Sequence, residues 1–92
     1  MSEPIHRIHK LRDDTVEWRP IEGEVVAVDL RTSVYFAINR TGALIWPELA
    51  CGATREALVA RLAQTCEIDR RQAGEEVDGF VAALAELDLL ES

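Results

Sequence analysis

Few residues of this chain belong to the types that build disulfide frameworks, redox centres or nucleotide-binding loops. The 92 residues include two cysteines, one methionine, three prolines and five glycines, and aromatic residues make up 5%. Without a secretory signal, two cysteines are more often reduced than paired, so Cys51 and Cys66 are given no chemical role. The glycines form no phosphate-binding loop. A disulfide-stapled scaffold and a nucleotide-binding enzyme are therefore disfavoured.

Long apolar runs are also missing. The first ten residues mix charged and apolar side chains without a signal-peptide core, and no later segment approaches the ~18 apolar residues of a membrane-spanning helix. These absences favour a cytoplasmic protein with no membrane partner. His6 and His9 have the spacing of one helical turn, but no further Cys, His or acidic cluster completes a metal site around them. We expect neither a metal nor a cofactor.

Basic residues are scarce, because 10 Lys and Arg stand against 17 Asp and Glu, a net charge of −7. Most of this charge lies near the C-terminal end. Residues 67–92 hold eight acidic residues and two arginines, which leaves −6 of the −7 there. Phosphate backbones are bound by clustered Lys and Arg, so nucleic acid is a disfavoured partner.

The length of the chain predicts one small domain. Such a domain buries roughly 60–65% of the surface of its unfolded chain, which leaves little room for a deep catalytic cavity. Hydrophobic residues make up 48% of the chain, enough for a single core. An elaborate enzyme is therefore disfavoured. We expect a flexible segment over residues 1–14 and a folded domain over residues 15–92.

Three short segments have the pattern of β-strands. Residues 15–19 alternate up to a proline and suit an edge strand, residues 25–28 are apolar and mostly β-branched, and Val34–Ile38 is a third apolar segment. The connections are too short for crossovers, so the strands are predicted to form an antiparallel meander with the second in the centre. The third strand is then an exposed edge without Lys or Pro.

After these strands, apolar residues recur at helical spacing, which predicts three helices. Asn39 is suited to cap the first helix, and Pro47 is expected to kink or shorten that helix. Thr54 and Asp69 are suited to cap the second and third. The third is the longest and most clearly amphipathic, and residues 89–90 are expected to fold back after it.

Three antiparallel strands followed by three helices make an α+β domain similar to a winged helix-turn-helix. Such domains bind either DNA, through a helix in the major groove, or peptides. Most of the negative charge lies on and around the helix that a DNA-binding domain of this kind would insert into the major groove. Peptide binding is therefore favoured, with an added strand pairing with the exposed edge.

The segment 28–46 carries three motifs in order: an aromatic pair, Tyr35-Phe36, then Thr41-Gly42, then Ile45-Trp46 at the start of the first helix. Their order and spacing resemble the PqqD family, and the resemblance extends over about residues 15–90. It implies a RiPP recognition element, the domain that binds leader peptides of ribosomally made, post-translationally modified peptides. Such domains are not themselves catalysts.

The resemblance also implies where the leader peptide binds. In the family the leader adds as an antiparallel strand beside the third strand and packs on the third helix. Arginines at the start of that helix are suited to acidic leader residues, and the glutamates that follow are suited to basic ones. The residues implied are Val34, Tyr35, Phe36, Ala37 and Ile38 on the strand, and Arg70, Arg71, Glu75, Glu76, Val77, Phe80, Val81 and Leu84 on the helix.

The chain departs from the family pattern at a few positions. The family often has glycine at Ser33 or Val34 and a Gly-Leu pair at Asp88-Leu89, and Pro47 is unusual. Residues 13–18 and the stand-alone length resemble the leader-binding proteins of lasso-peptide pathways, which implies a separate cysteine leader peptidase and a cyclase as partners. The alternatives are the peptide chaperone of pyrroloquinoline quinone biosynthesis and, less favoured, a small winged-helix DNA-binding protein.

Overall fold

The computed structural model describes residues 8–12 and 14–91 of the chain. In this part, two small sheets pack with three helices. In chain order the elements are β1 (Ile8–Leu11), β2 (Val16–Ile21), β3 (Glu24–Asp29), β4 (Val34–Ile38), α1 (Arg40–Cys51), β5 (Ala53–Thr54), α2 (Arg55–Cys66), α3 (Arg70–Glu86) and β6 (Leu90–Glu91). None of the described helices is both long and apolar enough to cross a bilayer.

Strands β2, β3 and β4 form the predicted antiparallel meander, with β3 in the centre and β4 at an edge. The register pairs Ala27 with Phe36 and Val28 with Tyr35. Since side chains alternate along a strand, Phe36 and Ile38 face inward with the buried Ala27, while Tyr35 lies on the outer face. The predicted α+β architecture is thus confirmed.

Two turns use residues with positive φ where the family often has glycine. Ser33, just before β4, has φ of 62°, and Asp88, just after α3, has φ of 60°. Glycine reaches this region without the steric cost that a Cβ imposes, which is why the departures at Ser33 and Asp88 bear on these turns. In this chain both turns keep the left-handed backbone, so β4 and the final fold-back hold their places despite the substitutions.

Each helix begins at the capping residue that the sequence predicts. The side chains of Asn39, Thr54 and Asp69 accept hydrogen bonds from the backbone N–H three residues further on, at 2.9, 3.1 and 2.8 Å. Helix α1 runs through Pro47 to Cys51, so the expected shortening at the proline does not occur. Pro47 is exposed, and the packed face of the helix is elsewhere.

The core lies between the inner face of the meander and the three helices. Trp46 of α1 is fully buried and packs edge-to-face with two rings, Trp18 of β2 and Phe80 of α3, with centroids 6.3 and 6.2 Å away. These contacts join the sheet, α1 and α3. The other large, fully buried side chains are Leu11, Ile45, Leu49, Leu58, Leu62, Val77 and Leu89.

Strand β1 contradicts part of the expectation of a flexible segment over residues 1–14. Residues 8–11 pair with β5 on one side and β6 on the other, and Leu11 is buried. Both partners are two-residue strands distant in sequence, so β1 carries no local signal that distinguishes it from a loose terminus. Residues 1–7, with His6, and residue 13 lie outside the described residues. The predicted fold-back of residues 89–90 is observed, because Leu90 of β6 pairs with Leu11.

Candidate functional site

The edge of β4 is the first feature of the candidate site. Within the described residues β4 pairs only with β3, so the backbone groups on its other side have no strand partner. Val34 and Tyr35 are 47% and 72% exposed. An uncharged edge strand of this kind is a template for an added strand.

One face of α3 forms a second wall. Glu76, Phe80, Ala83 and Leu87 follow one another at four- and three-residue steps, so they share a face of the helix. The first three of them line a cleft of about 370 Å³ between α3 and the start of α1. Leu87 is 46% exposed, although it is apolar. This face therefore presents apolar surface with an acidic residue at one end.

The two walls meet at one end through a glycine of α1. A Cβ on Gly42 would lie 2.7 Å from Cε1 of Phe80 and 2.8 Å from Cγ2 of Ile38. Only a residue without a side chain lets both groups pack this closely over the helix. Phe80 is held further by its contact with Trp46. The C-terminal end of β4 is thereby fixed beside the middle of α3.

At the other end the walls are joined by charged groups. Arg31, in the turn before β4, donates from Nε and Nη2 to the carboxylate of Asp29, at 3.1 and 3.0 Å. It also donates from Nη1 to a carboxylate oxygen of Asp88 at 2.9 Å and from Nη2 to the Asp88 carbonyl at 2.7 Å. Arg12 donates to the other carboxylate oxygen of Asp88 at 2.8 Å. The N-terminal end of β4 is thus tied to the end of α3.

These hydrogen bonds lower the pKa of both acids. The Arg31 side chain holds the pKa of Asp29 below its ordinary value of 3.8. Hydrogen bonds from Arg12, and then from Arg31, do the same for Asp88. Both groups are therefore carboxylates at neutral pH, and the ion pairs are intact there.

The two junctions define an open groove between β4 and α3. Asp88 follows Phe80 by eight positions, a rise of about 12 Å along a helix, and the five-residue β4 has about the same length. Because Phe80 meets the end of β4 and Asp88 meets the turn before it, strand and helix run in opposite directions beside each other. The groove has apolar walls, a free strand edge, and a length that suits an extended peptide of about five residues.

The β4 residues predicted to bind the peptide lie on two opposite faces of the sheet. Val34, Phe36 and Ile38 lie on the inner face, which borders the groove, and Ile38 is buried at its closed end. Tyr35 and Ala37 lie on the outer face of the sheet, so only their backbone borders the groove.

The α3 residues predicted to bind fall into more groups. Phe80, Glu75 and Glu76 line the cleft. Val77 and Leu84 are buried in the core, where they support the helix from beneath. The remaining three lie elsewhere. Val81 lines a separate depression beside β1 and β6. Arg70 and Arg71 are exposed at the start of α3. The Nε atom of Arg71 lies 3.9 Å from a carboxylate oxygen of Glu75.

Several residues that shape the groove were not among the predicted site residues. They include Arg31 and Asp88 at one end and, along the cleft and the face of α3, Gly42, Gly79, Ala83 and Leu87. The last two could have been found by continuing the helical spacing from Phe80, since they follow it by three and seven residues. Gly79 lines the cleft, and no atom lies within 4 Å of where its Cβ would be. The role of Gly42 depends on a contact between α1 and α3 that local sequence does not reveal.

Nothing in the described part of the chain groups three or more His, Cys, Asp or Glu side chains in a way that would hold a metal ion. The groove is instead suited to recognising main chain and apolar side chains.

Comparison with known proteins agrees with this description. The family model for coenzyme PQQ synthesis protein D (PqqD) matches residues 24–90. The chain belongs to the PqqD family. Among solved structures, this PqqD-family chain is similar to TbiB1 in complex with the TbiA(beta) leader peptide, with a TM-score of 0.82 and 32% identity over 90% of this chain and 95% of that chain. No curated protein matches it. The family resemblance predicted from the sequence is confirmed.

Proposed function

We propose that this chain is a RiPP recognition element that binds the leader segment of a lasso-peptide precursor and does not itself catalyse a reaction. The observation that carries the proposal is the free edge of β4 with an apolar face of α3 beside it, where a cleft opens between α3 and the start of α1. It is supported by the likeness to TbiB1, which was solved with a leader peptide bound.

In the proposed mode the leader pairs with β4 as an antiparallel strand. Alternate leader side chains then enter the groove beside Val34, Phe36 and Phe80, and the others lie on the outer face next to Tyr35. Two or three apolar side chains buried in this way contribute roughly 3–9 kcal/mol before the cost of ordering the peptide. Backbone pairing sets the register, and the groove walls select the side chains.

Charged residues refine the proposal. Glu75 and Glu76 line the cleft at the closed end of the groove, so a basic leader residue there is favoured. Arg70 and Arg71, at the start of α3, are suited to acidic leader residues. These contacts are exposed and add specificity rather than large affinity.

The proposed role in the pathway is delivery. A bound leader leaves the rest of the precursor free for other proteins to act on. We propose that these are a separate cysteine leader peptidase and a cyclase. The family description itself favours a second candidate, a peptide chaperone in pyrroloquinoline quinone synthesis.

A blocked-groove variant tests the proposal. Ala83→Trp places a bulky ring in the cleft, while Ala82→Trp places the same ring on the neighbouring exposed position outside it. We expect the parent and Ala82→Trp to bind a labelled TbiA(beta) leader peptide in fluorescence anisotropy titrations. Ala83→Trp should bind at least about tenfold more weakly, the equivalent of about 1.4 kcal/mol.

Equal affinity of the two folded tryptophan variants would show that the groove is not the site. A pyrroloquinoline quinone precursor peptide, titrated in parallel, separates the two pathways. Tighter binding of that peptide than of the TbiA(beta) leader would favour the second candidate.

A further inference from the structure

The two walls of the groove are joined at its two ends by different chemistry. At the Phe80 end the closure is apolar and rests on Gly42 of α1. At the Asp88 end it is the Arg31 ion-pair network. Between these ends β4 packs mainly against β3, and α3 packs mainly against α2. At the Val34 end the charged network joins the turn before β4 directly to the end of α3, in addition to the backbone hydrogen bond that Arg12 donates to Leu89.

The orientation of Arg31 is fixed by a buried partner. Asp29 is only 3% exposed, and besides the two guanidinium hydrogen bonds its carboxylate accepts the Arg31 backbone N–H at 2.9 Å. A guanidinium held on one side by a bidentate pair presents its remaining donors in a defined direction. Those donors point to Asp88.

The position of Asp88 is fixed as well. The backbone N–H groups of Asp88 and Leu89 donate to Ala85 and Leu84 at 3.0 Å, which anchors the turn to the end of α3. Its φ of 60° is unfavourable for a residue with a Cβ. Its carboxylate is the group that binds Arg31 and Arg12.

We propose that Arg31 and Asp88 form a clasp that holds β4 and α3 at the separation of one added strand, so that both are positioning residues for peptide binding. The part that concerns the peptide rests on the proposed function. The clasp does not contact the bound strand in this proposal; it keeps the groove from widening at the Val34 end, where both walls are exposed.

A matched pair of neutralising variants tests the clasp. Asp88→Asn weakens it, and asparagine tolerates positive φ, so the turn is retained. Asp78→Asn removes an ion pair of similar geometry, in which Arg55 donates to Asp78 at 2.7 and 3.1 Å between α2 and α3. Asp88→Gly serves as a second variant, because glycine relieves the backbone strain while it removes the carboxylate completely.

Two measurements are made on each variant: hydrogen–deuterium exchange of the peptide-free protein, and titration with the TbiA(beta) leader peptide. We expect both Asp88 variants to exchange faster over residues 31–36 and 84–91 and to bind the leader about tenfold more weakly, as expected for loss of a charged hydrogen bond. Asp78→Asn should lower the melting temperature but leave the exchange of β4 and the leader affinity unchanged.

Unchanged exchange of β4 in Asp88→Gly would overturn the clasp, and so would a loss of affinity in Asp78→Asn equal to that in Asp88→Asn. If the parent binds no leader peptide, the proposal that this chain binds lasso-peptide leaders is wrong. The hydrogen–deuterium exchange of the peptide-free protein still shows in that case whether the clasp joins β4 to α3.

Discussion

A single buried acid, Asp29, shows how one residue organises one end of the groove. A carboxylate buried without a partner is costly, and the Arg31 side chain provides two donors to it from two residues away. The same guanidinium then reaches Asp88, so one local ion pair becomes a link between the sheet and the last helix.

This link predicts acid sensitivity. Arg31 lowers the pKa of Asp29, and hydrogen bonds from Arg12 and Arg31 lower that of Asp88. Since both folded-state pKa values lie below the ordinary 3.8, the stabilisation is complete above that value and is lost as pH falls through the lowered pKa values. The melting temperature of the parent, measured between pH 7 and pH 2, should fall steeply at the acid end of this range, and that of Asp29→Asn should fall less steeply. An equally steep fall in both proteins would contradict this prediction.

Two helical glycines allow a second test at residue scale. In Gly42→Ala the new methyl group meets the Phe80 ring and Ile38 at 2.7–2.8 Å, so we expect a destabilisation of about 1–3 kcal/mol. In Gly79→Ala the methyl group meets nothing within 4 Å, and the better helix former should stabilise by about 0.5–1 kcal/mol. Urea unfolding of both variants measures whether the free energy of unfolding falls or rises. An unchanged free energy of unfolding in Gly42→Ala would mean that Phe80 does not pack against α1.

At the scale of elements, the sequence predicts those that carry their own signals. Alternation marks the meander, and the caps Asn39, Thr54 and Asp69 mark the helix starts. Strand β1 lacks such a signal, because its stability comes from pairing with residues 53–54 and 90–91. For the site, the helix that bears it was predictable. Helical spacing from Phe80 also indicates Ala83 and Leu87 on the same face and Val81 on another. The part that local sequence does not reveal is the contact of Phe80 with α1 at Gly42, which decides that this face borders the groove.

Strand β1 leads to a prediction of its own. Leu11 is 2% exposed, so Leu11→Ala should lower the free energy of unfolding by about 2–5 kcal/mol. Ile8 is exposed on the same strand, and Ile8→Ala should change it by less than about 0.5 kcal/mol. Urea unfolding followed by circular dichroism distinguishes the two. Equal, small effects would mean that residues 8–11 do not belong to the folded unit.

At the scale of the whole molecule, the charge distribution separates peptide binding from DNA binding. The C-terminal residues 67–92 carry −6 of the net −7. A polyanion is repelled from this end of the molecule, while a basic segment is attracted to it. Helix α3 places Glu75 and Glu76 of this acidic region at the Phe80 end of the groove, so a basic segment is attracted to that end more than to the other.

Direction can be measured with extended peptides. An added strand antiparallel to β4 has its N-terminus near Ile38 and the two glutamates, so an N-terminal Lys-Lys extension of the TbiA(beta) leader peptide should bind a few-fold more tightly than a Gln-Gln extension at low salt. High salt should remove the difference. Glu76→Gln should reduce it, whereas Glu86→Gln, which changes the net charge equally on an exposed position outside the cleft, should preserve it. A preference for lysines at the C-terminus instead would mean that the peptide runs parallel to β4.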